Sequence, residues 1–168
     1  MLLGYQGKLP VLNNSVFVAD GAKLIGDVKV GPDSSIWYNA VLRGDLAGIV
    51  IGDRSNIQDG VIGHVNTGQP LIVSHDVSVG HGAIIHGCTI GQGTLIGMGA
   101  IVLNGAEIGE YALVGAGSLV TENKKIPPYT LSLGSPARVV RELTEEDLLR
   151  MKVTAESYVA KGKEYRIS

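Results

Sequence analysis

The stretch "IGQGTLIGMGAIVLNGAEIGEYALVGAGSLVTENKKI", residues 90–126, places an apolar side chain at every sixth position. An α-helix repeats its apolar residues about every 3.6 positions and a half-buried strand every second one, so neither explains a sustained period of six. Six residues accommodate one short strand and one tight turn, and glycine or asparagine supplies the positive φ angle that such a corner often needs. The period-six positions of this stretch are Ile90, Ile96, Val102, Ile108, Val114, Val120 and Ile126.

Outward from this stretch, the same spacing extends toward the N-terminus after one five-residue step between Ile85 and Ile90. Three six-residue units complete one triangular coil with the apolar side chains inside, which predicts an all-β fold, a parallel β-helix of hexapeptide repeats. We expect left-handed coils, as in other proteins with this repeat, since the period alone does not fix the hand. A β-sandwich is the alternative, but it requires alternating polarity with turns every 8–12 residues. The earlier period-six positions are Val18, Leu24, Val30, Ile36, Leu42, Ile51, Ile57, Val73, Val79 and Ile85.

Two insertions interrupt the period and predict loops at the corners of the coils. Three extra residues separate Leu42 from Ile51, within "RGDLAG" (43–48). Four extra residues separate position 63 from Val73, within "VNTGQP" (65–70). Loops on a rigid scaffold often carry functional residues, so both insertions are candidate parts of a site.

The repeat ends near residue 126, and the chain beyond it changes character. Pro127, Pro128 and Pro136 cannot donate backbone hydrogen bonds, which fits a strand that leaves the coil. We therefore assign residues 1–142 to a β-helix domain with its exit segment. We assign residues 143–168 to a C-terminal α-helix that packs on the β-helix.

The predicted helix has a clear beginning. Thr144 is the expected N-cap, and the three acidic residues that follow suit the positive end of the helix dipole. Gly162 is the expected stop. One apolar face, spaced by three and four residues, comprises Leu148, Met151, Ala155 and Tyr158.

Composition narrows the class of protein. The 168 residues suffice for one domain, and a formal net charge of −2 gives no electrostatic reason to bind nucleic acid or an anionic membrane. No apolar run approaches the roughly 18 residues of a membrane span, and the N-terminus has no secretory pattern. Cys88 is the single cysteine, so no internal disulfide forms.

Polar residues fall into two columns when the register of the coils is applied. Arg43, His64 and His86 each follow an inward position on one side of three successive coils, so they stack about 4.8 Å apart. On the adjacent side, Gln58 and Asp59 follow Ile57, and His81 follows Val79 one coil later. His64 and His86 are thus close enough to share one metal ion.

Within a single chain, His81 lies apart from the column of His64 and His86. It lies five positions before His86, a distance of about 16 Å if the strand is extended. An ion bound about 2.1 Å from each nitrogen does not join these two columns in one chain. It joins them readily between two chains, and a closed threefold ring would form three such sites.

The residues of these columns stand in motifs that resemble the gamma-class carbonic anhydrase family, in its short cytoplasmic branch. The resemblance covers nearly the whole chain, and the histidine spacing is far more specific than the hexapeptide repeat. The motifs are "RGD" (43–45), "NIQDG" (56–60), His64, "VGHGAIIHGCTIG" (79–91), "LIGMGAIV" (95–102) and "VGAGSLV" (114–120).

The resemblance implies a cytoplasmic homotrimer that hydrates CO2 reversibly to bicarbonate through a metal-bound hydroxide. His64 and His86 of one subunit and His81 of the next would hold the metal, as the columns suggest. The implied metal is Zn²⁺, although three imidazoles also accept Fe²⁺ or Co²⁺.

The resemblance also implies roles for the remaining polar residues. Arg43 and Asp59 are similar to an interfacial ion pair of the family, and Asp45 lies at the same interface. Arg43 can also offer planar donors to bicarbonate. Gln58 resembles the residue that orients the metal-bound water, and Tyr158 is a candidate to face the site.

Two alternatives to a carbonate dehydratase remain open at this point. Active family members carry glutamates in the loop after "RGD" and near the first histidine, whereas this chain has "LAG" (46–48) and "VNTG" (65–68). That difference favours a weak or inactive metal-binding scaffold. A hexapeptide-repeat acyltransferase is the other alternative, but such enzymes use one histidine as a base and need no metal.

Overall fold

The fold is taken from a computed structural model, which describes residues 1–167. The predicted helical range 143–168 includes Ser168, which lies outside the described residues. The chain consists of short strands that wind into coils, followed by one long helix.

The strands form three faces, and each face gains one strand per coil. Face 1 is a parallel ladder that ends with an added antiparallel strand, Ala137–Glu142. This last strand lies at the end of the exit segment predicted from the prolines, and Pro136 directly precedes it. The parallel strands of face 1 are Phe17–Val18, Ser35–Ile36, Asn56–Ile57, Ser78–Val79, Leu95–Ile96, Leu113–Val114 and Thr130–Gly134.

Faces 2 and 3 meet at a corner that two long strands, Lys23–Val30 and Val41–Ile51, turn without a break. The first part of each long strand belongs to face 2 and the last part to face 3. The other strands of face 2 are Leu2–Leu3, Ile62–His64, Ile84–His86, Ile101–Val102 and Leu119–Val120. The other strands of face 3 are Val11–Leu12, Leu71–Val73, Thr89–Ile90, Glu107–Ile108 and Lys125–Ile126.

One continuous apolar core fills the inside of the coils. The period-six side chains stack there; Ile57, Val79 and Ile96, for example, pair in register along face 1 and are fully buried. Gly63 is an inward position without a side chain. A Cβ there would lie 2.5 Å from Leu42 Cδ2 and 3.1 Å from Leu71 Cδ2, so these two leucines fill its place.

The corners use residues with positive φ, as the period predicts. At the corner between faces 1 and 2, Gly60 and Gly82 have φ angles of 68° and 66°. Each glycine directly follows a polar residue of the predicted site, Asp59 or His81. The tight turn therefore places these two side chains at a corner rather than on a flat face.

The C-terminal helix spans Glu145–Ile167 and packs across face 1. Its N-terminus is a capping box: Asp147 N donates to Thr144 Oγ1 (3.2 Å), and Thr144 N donates to Asp147 Oδ2 (3.0 Å). The predicted N-cap and apolar face are confirmed, since Met151 and Ala155 are buried against the β-helix.

The predicted stop at Gly162 is wrong, because the helix continues through it to Ile167. Gly162 is buried, and a Cβ there would lie 3.4 Å from Ser35 Cβ and 3.5 Å from Phe17 Cβ. Gly162 therefore packs within the helix against face 1, at a position with space for a methyl group but not for a larger side chain, and does not terminate the helix.

An aromatic cluster fastens the helix to face 1. Trp37 is buried and makes edge-on contacts with Tyr158 and Tyr165 of the helix, each with ring centroids 5.3 Å apart. Phe17 completes the cluster 5.1 Å from Trp37. The one helix between residues 1 and 167 does not have the length and apolar character needed to cross a membrane.

Candidate metal centre

The first predicted column forms on face 2. Arg43 pairs in register with His64, and His64 pairs in register with His86 on the next strand. These side chains stand at the end of face 2, at its corner with face 3. The register argument from the sequence therefore places Arg43, His64 and His86 correctly.

Each of the two histidine rings in this column directs one nitrogen atom toward the other ring. His64 Nδ1 lies 2.9 Å from His86 Nε2. The remaining nitrogen of each ring contacts an oxygen: His64 Nε2 lies 2.9 Å from Asp45 Oδ1, and His86 Nδ1 lies 2.5 Å from Asn104 Oδ1. Both rings therefore donate outward to these oxygens.

This arrangement leaves a lone pair on each of the two facing nitrogens. Two lone pairs 2.9 Å apart repel each other unless a proton or a cation lies between them. Histidine ligands of metals characteristically donate their other N–H to a carboxylate or a carbonyl oxygen. The donor set of His64 and His86 therefore fits a divalent transition metal.

Asp45 anchors this half of the site. It accepts hydrogen bonds from His64 and from Arg43, and its side chain is largely shielded from solvent. Burial raises the pKa of the Asp45 carboxyl, but the hydrogen bonds from His64 and Arg43 outweigh it and lower the pKa overall. The carboxylate is thus charged at neutral pH and can hold His64 in a fixed tautomer.

The second predicted column lies at the opposite corner of face 2. His81 Nδ1 is 2.8 Å from Asp59 Oδ2, and His81 Nε2 is 3.4 Å from the Tyr158 hydroxyl. The carboxylate again fixes one ring nitrogen and leaves the other for a further ligand. Burial, and then the charge of Asp59, raise the pKa of Tyr158, which keeps its hydroxyl protonated.

Gln58 is buried beside His81 in a chain of amides and hydroxyls. Its Nε2 donates to Asn56 Oδ1 (2.9 Å), and Asn56 Nδ2 donates to Ser78 Oγ (2.8 Å). A groove of about 490 Å³ between the helix and face 1 includes Gln58, His81 and Tyr158 in its lining. The fixed amide gives Gln58 one orientation at this groove.

Some predicted partners do not meet within one chain. Arg43 bonds Asp45, whereas Asp59 contacts His81 at the other corner, so no Arg43–Asp59 pair is present in a single chain. Over residues 1–167, no three His, Cys, Asp or Glu side chains of one chain converge on a metal position. His81 is the separated member, as its column predicts.

Sequence reasoning missed Asn56 and Asn104, which hold Gln58 and His86. A signal for Asn104 was available, because it lies 18 residues after His86, which is one complete coil. No motif pointed to it. Cys88 is buried in the apolar core, where it packs as a structural residue, and burial raises the pKa of its thiol to about 12.

The hexapeptide repeat is shared with known proteins. The family model described as "Bacterial transferase hexapeptide (six repeats)" matches residues 87–122. A crystal structure of the BC4754 gene product of Bacillus cereus superimposes with a TM-score of 0.97 at 51% identity, covering 98% of this chain and 95% of that one. The name of that protein assigns it provisionally to the acetyltransferases. The fold is therefore the left-handed parallel β-helix of hexapeptide repeats.

Curated relatives decide the family. A Geobacillus kaustophilus protein named "Carbonic anhydrase" is 51% identical over 166 residues, covering 99% of this chain and 91% of its own length. "Gamma carbonic anhydrase 2, mitochondrial" of Arabidopsis thaliana is 42% identical and covers 94% of this chain and 59% of its own. The chain belongs to the gamma-class carbonic anhydrase family. A "Probable carbonic anhydrase" of Methanocaldococcus jannaschii is 56% identical and covers 89% of this chain and 94% of its own.

Proposed function

We propose that this chain is a carbonic anhydrase of the gamma class, which hydrates CO2 reversibly to bicarbonate at metal sites between subunits. The observation that carries the proposal is the pair of facing nitrogens of His64 and His86, each ring fixed by an oxygen acceptor on its other side. The relatives named carbonic anhydrase support the reaction.

The proposed ligands are His64 and His86 of one subunit and His81 of the next, around zinc, with Fe²⁺ or Co²⁺ also acceptable to three imidazoles. Three neutral imidazoles would leave a bound zinc its full charge, and the metal would then lower the pKa of its water toward about 7 and so supply a nucleophile for CO2. Asp45 and Asp59 act through the histidines, since each carboxylate fixes the tautomer of one ring.

The chain's own polar residues supply binding and orientation. Gln58 does not titrate, and its amide is held by Asn56, so it can hydrogen-bond the nucleophile in one fixed orientation. Arg43 is partly exposed beside His64 and retains guanidinium N–H groups for the bicarbonate oxygens or for Asp59 of a neighbouring subunit. Tyr158 borders the groove next to His81 and helps to close it.

A homotrimer is part of the proposal. The outward side chains of face 2 form an apolar stripe between the two histidine corners, and Ile62 in this stripe is 47% exposed. A parallel sheet is normally covered on both sides, so this stripe favours a neighbouring subunit. A cyclic trimer would cover the stripe and bring one column to the other at each interface. The outward residues of the stripe are Val41, Ile62, Ile84, Ile101 and Leu119.

A metal-binding scaffold with little catalysis is the second candidate function. The loop segments "LAG" (46–48) and "VNTG" (65–68) contain no carboxylate to export the proton that each hydration releases. We assign either form of the protein to the cytoplasm, following its similarity to the short cytoplasmic branch of the family.

Metal analysis combined with a CO2 hydration assay tests the proposal. The purified protein is stripped and reloaded separately with zinc, with cobalt and with iron under anaerobic conditions. A His64→Ala variant should lose both metal and activity, whereas His75→Ala, outside both columns, should keep both. Full metal content without CO2 hydration would favour the scaffold, and wild-type protein that binds none of the metals would contradict both candidates.

A further inference from the structure

The column of His64 and His86 continues onto the next two coils. His86 Nδ1 lies 2.5 Å from Asn104 Oδ1, and Asn104 Nδ2 donates to Glu122 Oε1 at 3.2 Å. Each step spans 18 residues, one complete coil. Face 2 thus carries a relay of His86, Asn104 and Glu122 along its corner with face 3.

The chemistry of the relay fixes the direction of every hydrogen bond. An ionised carboxylate only accepts, so the amide nitrogen of Asn104 must face Glu122. Its amide oxygen then faces His86, and the hydrogen of the neutral imidazole must sit on Nδ1. His86 Nε2 is left with a lone pair, and this is the atom 2.9 Å from His64 Nδ1.

We infer that Asn104, oriented by Glu122, is a positioning residue that holds His86 in the tautomer and ring orientation needed for a metal ligand. The inference rests on the metal centre proposed above. Asn104 does for His86 what Asp45 does for His64 and Asp59 does for His81.

The use of an amide in place of a third carboxylate has an electrostatic consequence. Asp45 and Asp59 each place a negative charge directly against a histidine. At His86 the charge of Glu122 is one residue further away, on an exposed side chain. His86 is therefore aligned by a neutral acceptor whose orientation depends on Glu122.

The test measures the His86 tautomer in the metal-free protein by nitrogen-15 NMR of labelled histidine rings at mildly alkaline pH. In wild-type protein we expect the hydrogen on Nδ1. Asn104→Leu removes the acceptor at similar volume and should shift His86 toward the Nε2–H form. It should also weaken zinc binding about 10–100-fold. A double variant, Asn104→Asp with Glu122→Gln, restores an acceptor and its donor and should recover both properties.

Two further variants keep the result interpretable. Glu122→Leu changes an exposed residue, so the fold should survive, and it should produce the same shift in smaller measure. Gln92→Leu removes an amide at the corner of faces 3 and 1, and it should change neither the tautomer nor zinc affinity. An unchanged His86 tautomer in Asn104→Leu would overturn the inference. Wild-type protein with the Nδ1–H form that binds no zinc would support the positioning role and contradict the proposed metal centre.

Discussion

Two substitutions of Gly162 should have opposite effects on the free energy of unfolding. The residue lies inside the helix, where alanine is more favourable than glycine by about 0.5–1 kcal/mol because the unfolded glycine has more freedom to lose. A Cβ at this position would lie 3.4 Å from Ser35 Cβ and 3.5 Å from Phe17 Cβ, which is ordinary contact. Gly162→Ala should therefore raise the free energy of unfolding by about 0.5–1 kcal/mol.

A larger side chain at position 162 has no space. Gly162→Leu adds three further carbon atoms where the first already touches face 1, and overpacking of this kind costs about 1–3 kcal/mol. The helix would lift away from face 1 and loosen the cluster of Trp37, Tyr158 and Tyr165.

Trp37 is the single tryptophan, so its fluorescence reports on this interface directly. The assay follows thermal unfolding and the emission maximum at one fixed protein concentration, because oligomer stability depends on concentration. We expect a melting temperature about 1–4 °C higher for Gly162→Ala with unchanged emission. For Gly162→Leu we expect a lower value with red-shifted emission. A destabilised Gly162→Ala protein would refute the claim that position 162 has space for a methyl group against face 1.

Further predictions concern acid stability, assembly and turnover. Hydrogen bonds from Arg141, which has the larger effect, and from Thr144 lower the pKa of Asp147 in the folded state. The stability that Asp147 contributes is therefore present above about pH 4 and is lost as the pH falls. Urea titrations should show Asp147→Asn to be less stable than wild type at neutral pH, with a difference that shrinks in acid, and a difference that stays constant with pH would contradict this. Ile62→Lys on face 2 should yield smaller particles in light scattering, whereas the matched Ile72→Lys on face 3 should keep the wild-type size; equal behaviour would argue against face 2 as the interface. Gln58→Ala should slow CO2 hydration by the equivalent of about 1–3 kcal/mol at full metal content, and loss of metal would remove the role given to Gln58. Wild-type activity should be low and should rise with buffer concentration. A fast rate that does not depend on buffer would refute the claim that the protein lacks a group to export the proton.

The winding of the chain was predictable because a single physical requirement repeats through it. Each inward position needs an apolar side chain and each corner needs a compact turn, so a period of six leads directly to the register of Arg43, His64 and His86. The same register separates His81, since a corner and a strand intervene. Little else in the sequence competes with this pattern.

What the sequence did not reveal depends on contacts between elements. Gly162 has the usual pattern of a helix stop, but the helix continues through it because its last turns pack on face 1 beside Ser35 and Phe17. Asn104 belongs to no motif, and its importance follows from the position of its amide oxygen against His86. Both are matters of packing between coils and helix, which the period of six does not specify.

The most direct test of the central claim is metal binding in mixed trimers of His64→Ala and His81→Ala subunits. Each variant alone should bind no metal, because every interface lacks a ligand. In a random equal mixture, about a quarter of the interfaces in a cyclic trimer join an intact His81 to an intact pair of His64 and His86. Metal analysis should therefore recover about a quarter of the wild-type sites after the two proteins are unfolded and refolded together. No recovery in trimers shown to be mixed, or wild-type metal content in either variant alone, would contradict a metal centre shared between subunits.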